Sequence, residues 1–294
     1  MTMLKQTLFF STPVRLSLRN NQLVVSWKDS NDVVMRPIED IGFVIIENQQ
    51  VSISIPLLNA LVKNNTCVIF CDDKHLPSSS LLGYDVNSTQ AETVKMQVAV
   101  SEPKKKRAWQ QIVEAKIKNQ AALLAKLGHN GDKLKSCYSN VLSGDTSNQE
   151  GHAARIYWKE LLGKDFIREP QGSAPNNFLD YGYSILRAAM ARAIVGSGLS
   201  PIFGLFHKNR YDAFALSDDL MEPYRPYVDE MVMTLAGMTE LTKDTKAELL
   251  RVLTTDVGME KMTRPLQVAL TMTTASLVKY YKGEVTKLSL PKMV

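Results

Sequence analysis

One third of the way along this chain the repeat of its apolar residues changes, and no single-layer architecture satisfies both halves. From Thr7 to Phe70 the apolar side chains fall in short runs, Val14-Arg15-Leu16-Ser17-Leu18, Leu23-Val24-Val25-Ser26-Trp27 and Gly42-Phe43-Val44-Ile45-Ile46. Turn formers separate them, Asn20-Asn21 and Asp29-Ser30-Asn31-Asp32, which is the pattern of β-strands. Further on, Trp109, Ile112, Val113, Ala115, Ile117, Ala121, Leu123 and Leu124 recur every three or four residues, with Lys116, Lys118 and Lys126 between them. That spacing predicts an amphipathic helix. The expected class is therefore α+β, an N-terminal β-rich domain followed by a larger all-α domain.

Boundaries follow from the punctuation. Within the first third, Pro56 opens a short helix through Val62 that Asn64-Asn65 stops, and the strand Cys67-Val68-Ile69-Phe70-Cys71 follows. The stretch from Asp72 to Ser80, with Gly83 and Asn87 beyond, is rich in breakers. The reading is a β domain over 1–75, a linker over 76–92, a helical domain over 93–282 and a mixed tail over 283–294 that frays. No internal repeat of fixed period is present.

At 294 residues the chain is long enough to bury about three quarters of its unfolded surface. Its 45% hydrophobic and 22% charged residues exclude collagen-like, disordered and low-complexity classes. Three cysteines cannot frame a chain of this size, and Cys67 and Cys71, on one side of an apolar strand, read as core thiols rather than a zinc site. The first fifteen residues lack a secretory apolar region, and the apolar stretch Ser184 to Phe206 is broken by Arg187, Arg192 and Pro201. A cytoplasmic protein with no membrane partner is expected.

Thirty-five Lys and Arg against thirty Asp and Glu give a net charge of +5, which by itself fits either a solvated surface or a polyanion partner. The cluster Lys104-Lys105-Lys106-Arg107, just before Trp109, is the sharpest charge feature. A solvated helix face explains it, but four adjacent cations also raise the local potential, and the reading leans to nucleic-acid or phosphate contact.

Three further segments carry chemistry. In Ser147-Asn148-Gln149-Glu150-Gly151-His152-Ala153-Ala154-Arg155, Ser147 and Glu150 have the spacing of a capping box, yet Glu150 is equally a carboxylate ligand at a helix start. In Gly204-Leu205-Phe206-His207-Lys208-Asn209-Arg210, a lone histidine between apolar residues and cations is either structural or a ligand. In Ser217-Asp218-Asp219-Leu220-Met221-Glu222-Pro223-Tyr224-Arg225-Pro226, first-turn acids suit the helix dipole, but three acids within five residues repel unless a cation offsets them. Together the acids and one imidazole suit Mg2+ or Mn2+ better than zinc.

In this order the three segments resemble the CRISPR-associated integrase family Cas1, whose pattern is Glu-Gly-x-Ala-Ala-Arg, then Gly-x-x-His, then Asp-x-Met-Glu-Pro-Phe/Tyr-Arg-Pro. Leu179-Asp180-Tyr181-Gly182-Tyr183 and the stretch Phe70 to Pro77 are similar to members that accompany Cas9 in type II systems. The resemblance implies a β domain joined to a helical catalytic domain, with Glu150, His207 and Glu222 as catalytic metal ligands and Asp219 as an auxiliary carboxylate. It also implies phosphate contacts from Arg155, Lys208 and Arg225. The implied activity is metal-dependent DNA integration and cleavage, inserting short spacers into a repeat array by 3'-hydroxyl attack on a phosphodiester. The implied partners are double-stranded DNA as protospacer and CRISPR repeat, a second copy of the chain, Cas2, and, for type II systems, Cas9 and the accessory adaptation protein.

Two competing readings remain in the residues. Asp218-Asp219-Leu220-Met221-Glu222 fits the acidic motif of helical isoprenoid synthases, though the β-rich first third and the lack of a second acidic motif weigh against it. The other is a non-catalytic DNA-binding scaffold in which the acids serve as caps and surface charge.

Overall fold

The first unit of the chain, Met1–Ser88, is built on two four-stranded sheets. The computed structural model describes residues 5–28, 30–83, 86–207, 209–260 and 262–293. Strands β1 (Gln6–Phe10), β2 (Arg15–Arg19), β3 (Gln22–Ser26), β4 (Val33–Pro37), β5 (Ile41–Ile46) and β6 (Ser52–Ile53) precede helix α1 (Ile55–Lys63), and β7 (Cys67–Cys71) and β8 (Pro77–Leu81) follow it. Asn20 and Asn21 take φ of 50° and 60°, the paired left-handed residues that a two-residue hairpin turn needs, and they join β2 to β3. One sheet runs β4-β3-β2-β6 and the other β1-β5-β7-β8.

In the second sheet β1, β5 and β7 are parallel, with α1 as the crossover from β5 to β7. All six residues of β5 are buried, as a strand covered on both faces must be. Leu57 and Leu61 of α1 seat against Leu16, Leu23, Val44 and Val68. Pro56 stands in the first turn of α1, as the sequence predicts. Cys67 and Cys71 are both buried in β7.

The stretch expected as a linker carries regular structure. Pro77–Leu81 pairs antiparallel with β7, and Asp72 Oδ1 closes the intervening turn by accepting from the amides of Lys74 and Leu76 at 3.0 and 2.9 Å. Ser78 and Ser79 face solvent, so this strand is held by backbone pairing and leaves no apolar signature.

The second unit, Thr89–Val294, contains α2 (Gln90–Ala99), α3 (Glu102–Lys126), α4 (Lys135–Ser139), α5 (Gln149–Leu162), α6 (Asn176–Gly196), α7 (Ala215–Met221), α8 (Arg225–Thr234) and α9 (Lys243–Leu250). After them come β9 (Asp256–Met259), β10 (Met262–Pro265), α10 (Leu266–Lys282) and β11 (Pro291–Lys292). Helix α3 packs against α4, α5 and α8, and α6 against α7, α8 and α10. Among the described residues no helix is long and apolar enough to cross a membrane.

The unit is mainly helical, as expected, but not wholly so. Strands β10, β9 and β11 form a small antiparallel sheet, too short and polar to show in the hydropathy pattern. The tail expected to fray supplies β11. Buried Asn119 of α3 donates to the carbonyls of Pro223 and Pro291 at 2.7 and 3.1 Å and accepts from the Met293 amide at 3.0 Å, so the tail is pinned from inside the helical core.

Candidate active site

Helix α3 buries Trp109, Ile112, Val113, Ile117, Leu123 and Leu124 on one face, and Lys116 lies on that same face. Trp109 and Lys116 are seven residues apart, two turns and about 10 Å along the axis, and each anchors one half of the site.

The first half begins at α5. Asn148 caps it by accepting from the Gly151 amide at 3.1 Å, and Asp145 accepts from the amides of Gln149 and Glu150 at 2.8 and 3.0 Å. A Cβ at Gly151 would lie 2.7 Å from the Asn148 side chain, so glycine leaves room for the cap. These two residues do the work expected of a Ser147–Glu150 capping box; Ser147 instead accepts from the Gln149 side chain at 3.2 Å. The Glu150 carboxylate takes no part in the cap and accepts a hydrogen bond from Lys116 Nζ at 2.6 Å.

Glu222 starts the turn Glu222–Tyr224 between α7 and α8 and is 5% exposed. Its Oε2 contacts the same Lys116 ammonium, and its Oε1 accepts from Arg225 at 2.7 Å. Burial pushes the Glu222 carboxyl up, but the charges of Arg225 and Lys116 outweigh burial and hold it down at about 2. Burial drives Lys116 down, and Glu222 and Glu150 more than reverse that. Arg225 lies 4.1 Å from the centre of the Tyr183 ring. The guanidinium that the motif assigns to phosphate is thus engaged inside the protein, on Glu222 and Tyr183.

Behind this pair sits a second buried carboxylate. Asp229 accepts from Tyr157 at 2.7 Å and from the Tyr183 hydroxyl. Burial pushes Asp229 up to about 6, against the pull of the two hydroxyls and of the Arg225 and Lys116 charges.

The second half is the loop before α7. Asp219, with no exposed surface, accepts from the amides of Leu205, Phe206 and His207 at 2.5, 3.0 and 3.3 Å and pairs with His207 Nδ1 at 2.6 Å. Three amides and one imidazole on a single carboxylate fix both the loop and the ring. With Nδ1 bonded to Asp219, the hydrogen bond and the charge raise the His207 imidazole against the effect of burial, and Nε2 is the nitrogen left for a ligand. Gly204 is required here, since a Cβ would lie 2.6 Å from the His207 carbonyl and 2.9 Å from Asp219 Oδ2. Gln97 of α2 holds the start of the loop, accepting from the Ser200 amide and donating to the carbonyls of Ser200 and Phe203.

The three acids that raised the question of a neutralising ion diverge. Asp218 pairs with Arg187, its Oδ1 2.6 Å from Nε, Asp219 turns to His207, and Glu222 to Lys116 and Arg225. Protein cations offset Asp218 and Glu222, backbone amides and the imidazole satisfy Asp219, and the divergence of Asp218 from Glu222 removes the single acidic cradle that the isoprenoid-synthase motif needs. Among the described residues no three His, Cys, Asp or Glu side chains lie close enough together to hold an ion. Two of the three expected ligands do meet, Glu150 and Glu222 on one ammonium. The buried Glu222 Oε2 has that charge contact but no aligned hydrogen bond. A buried and a half-buried carboxylate oxygen aimed at one cation are the donor chemistry of a hard divalent ion, so the residues present fit Mg2+ or Mn2+.

The expected DNA contacts are scattered. Lys104 donates to the Tyr281 carbonyl at 3.0 Å and lies over the Tyr280 ring, and Lys105 sits 3.7 Å from Glu102, so the basic run is not free of acidic neighbours. Lys106 and Arg107 are exposed. Arg155 is exposed on α5 and donates to the Gly151 carbonyl at 3.2 Å, whereas Lys208 lies outside the described residues. Sequence reasoning missed Lys116. Its signal was positional: it follows Ile112 by four residues and Trp109 by seven, on the buried ridge.

Fold and site together define a two-domain α+β protein whose helical domain carries a Glu150–Glu222 carboxylate pair and a His207–Asp219 pair. The chain belongs to the CRISPR associated protein Cas1 family, whose model matches residues 8–267. It is 38% identical over 253 residues to the CRISPR-associated endonuclease Cas1 of Neisseria meningitidis serogroup C, covering 84% of this chain and 82% of that one. It is 28% identical over 241 residues to a Cas1 endonuclease of Francisella tularensis subsp. novicida, covering 75% of each. The fold is shared with a casposase bound to integration product, at a TM-score of 0.80 and 20% identity over 98% of this chain and 92% of that one. It is shared too with a Cas1 protein from Thermotoga maritima, at 0.74 and 17% over 95% and 97%, and with a chain of a Cas6-RT-Cas1–Cas2 complex, at 0.75 and 17% over 99% of this chain and 36% of that one.

Proposed function

We propose that this chain is an integrase of CRISPR adaptation that joins the 3'-hydroxyl ends of a short DNA duplex to a repeat array. When water takes the place of the hydroxyl, the same centre cuts DNA. Glu150 and Glu222 would hold a Mg2+ or Mn2+ ion, with His207 as the third ligand that the family motif supplies, and the ion would polarise a phosphate and stabilise the leaving oxygen. The observation that carries the reading is the meeting of Glu150 and Glu222 on one cation, in a chain of the Cas1 family.

The residues divide the remaining work. Asp219 sets the imidazole tautomer and holds the loop, so His207 Nε2 is oriented before any substrate arrives. Arg225 and Lys116 keep Glu222 ionised. Lys106 and Arg107, exposed at the start of α3, and Arg155 on α5 supply cations for the DNA backbone. The inferred partners are double-stranded DNA as protospacer and repeat, a second copy of the chain and Cas2, which the complex with a shared fold contains by its title. By the likeness of its motifs to type II members, Cas9 and the type II accessory adaptation protein join them.

The test is strand transfer with a short 3'-hydroxyl duplex, a supercoiled repeat-containing target and Mn2+, with and without Cas2. The wild type joins the strands, and Glu150→Ala, His207→Ala and Glu222→Ala each abolish joining while DNA binding survives. Binding without joining under every condition returns the chain to a scaffold, and joining by all three variants overturns the site.

A further inference from the structure

Phe206 stands out in the loop that carries His207. Its ring lies parallel to Trp109, with centroids 4.6 Å apart and planes 2° from coincidence. Trp109 is fully buried, yet Phe206 is 46% exposed. One face of the phenyl ring is covered by indole, so the exposure belongs to the opposite face and the edge. The ring is also fixed from behind, because the Phe206 amide donates to Asp219 at 3.0 Å and the His207 ring meets Phe206 edge-on at 5.7 Å and 86°. Folding gives no reason to leave such a ring in water, since burying a phenylalanine is worth about 1.5–3 kcal/mol.

Resting on the integrase reading of His207, we propose that the open face of Phe206 is a stacking subsite for one unpaired base at the reacting end of the DNA. A base seated there forms a three-layer stack with Phe206 and Trp109, and the 5.7 Å from ring to imidazole is within the span of one nucleotide. Stacking of this kind accepts any base, because every base has a π-face. It requires a base whose own face is uncovered, which selects a single-stranded end over the interior of a duplex. One cation of the same loop is at hand for the DNA backbone. Arg210, in the same loop, lies 4.6 Å from the centre of the Tyr211 ring, and Tyr211 is 78% exposed. Because Trp109 and Asp219 already hold Phe206, the stack costs no ordering of the loop.

The experiment uses a duplex with a short 3' overhang carrying 2-aminopurine near its end, titrated with the full chain in Ca2+. With wild type the fluorescence is quenched as the base stacks. Phe206→Leu, which keeps an apolar contact on Trp109, abolishes the quench and weakens overhang binding roughly 5- to 150-fold, leaving blunt-duplex affinity and melting temperature unchanged. Phe206→Tyr retains both quench and affinity. A quench by Phe206→Leu equal to wild type overturns the proposal. So does a change in self-association in place of overhang affinity, which makes the aromatic loop a protein interface instead. Strand joining by the same wild-type preparation reports on the integrase reading separately, because the quench needs no chemistry.

Discussion

Lys116 and Glu150 come from α3 and α5, thirty-four positions apart, and meet with Nζ 2.6 Å from Oε1, while the same ammonium reaches Glu222. One lysine therefore keeps two carboxylates together before any ion arrives. Removing it leaves two facing carboxylates with only Arg225 beside Glu222. Lys116→Met is expected to lower metal-free stability by about 1–3 kcal/mol. Mn2+ should then raise the melting temperature of the variant more than that of wild type, and equal Mn2+ shifts in the two proteins would rule out the carboxylate pair as the ion site.

Asp219→Asn keeps the size of the side chain but turns one acceptor into a donor facing backbone amides. A loss of about 1–3 kcal/mol is expected, the cost of buried groups left without partners, together with loss of strand joining at undiminished DNA binding. Chemical denaturation and a gel-based joining assay read the two effects. Full joining by this variant would show that His207 orients itself without the carboxylate.

Asp229 carries a pH signature for stability. Its native value is near 6 against an ordinary 3.8, so between those limits the folded chain binds more protons than the unfolded one. Stability contributed by this site therefore falls as pH rises from about 4 through 6. The groups facing it are Tyr157, Tyr183, Arg225 and Lys116, none of which titrates in that window. Asp229→Asn is expected to flatten the profile, the difference amounting to 2–3 kcal/mol in order of magnitude. Urea titrations at pH 4, 5, 6 and 7 measure it, and parallel profiles would place the proton elsewhere.

Of the basic run, Lys106 and Arg107 face solvent, while Lys104 is held by the Tyr281 carbonyl. The double variant Lys106→Glu, Arg107→Glu should weaken DNA binding across sequences and reduce the salt slope by about two. Reversal of Lys104 should instead show mainly as lost stability. An unchanged slope in the double variant would make the run a solvated helix face.

What could be read from the chain was what hydropathy encodes. Strands β2, β3, β5 and β7 and helix α1 carry apolar runs with clear punctuation, and α3 announces itself by its period. Strand β8 does not, because Ser78 and Ser79 contribute backbone pairing and no apolar surface. The motif residues were legible by type and order, but not their company. Asp145 rather than Ser147 holds the Glu150 amide because a tight turn brings it within reach, and Lys116 is charged on a largely apolar face because its partners lie on two distant segments. Spacing along one helix carries no trace of either partnership.

Asn119 offers a mechanical reading of the helical unit. A single amide side chain grips the carbonyl of Pro223, next to Glu222, and both sides of the strand Pro291–Lys292. Tension that peels this strand from β9 is transmitted through one short lever to the turn that aims Glu222, so the final strand is a tether on the carboxylate as much as the edge of a sheet.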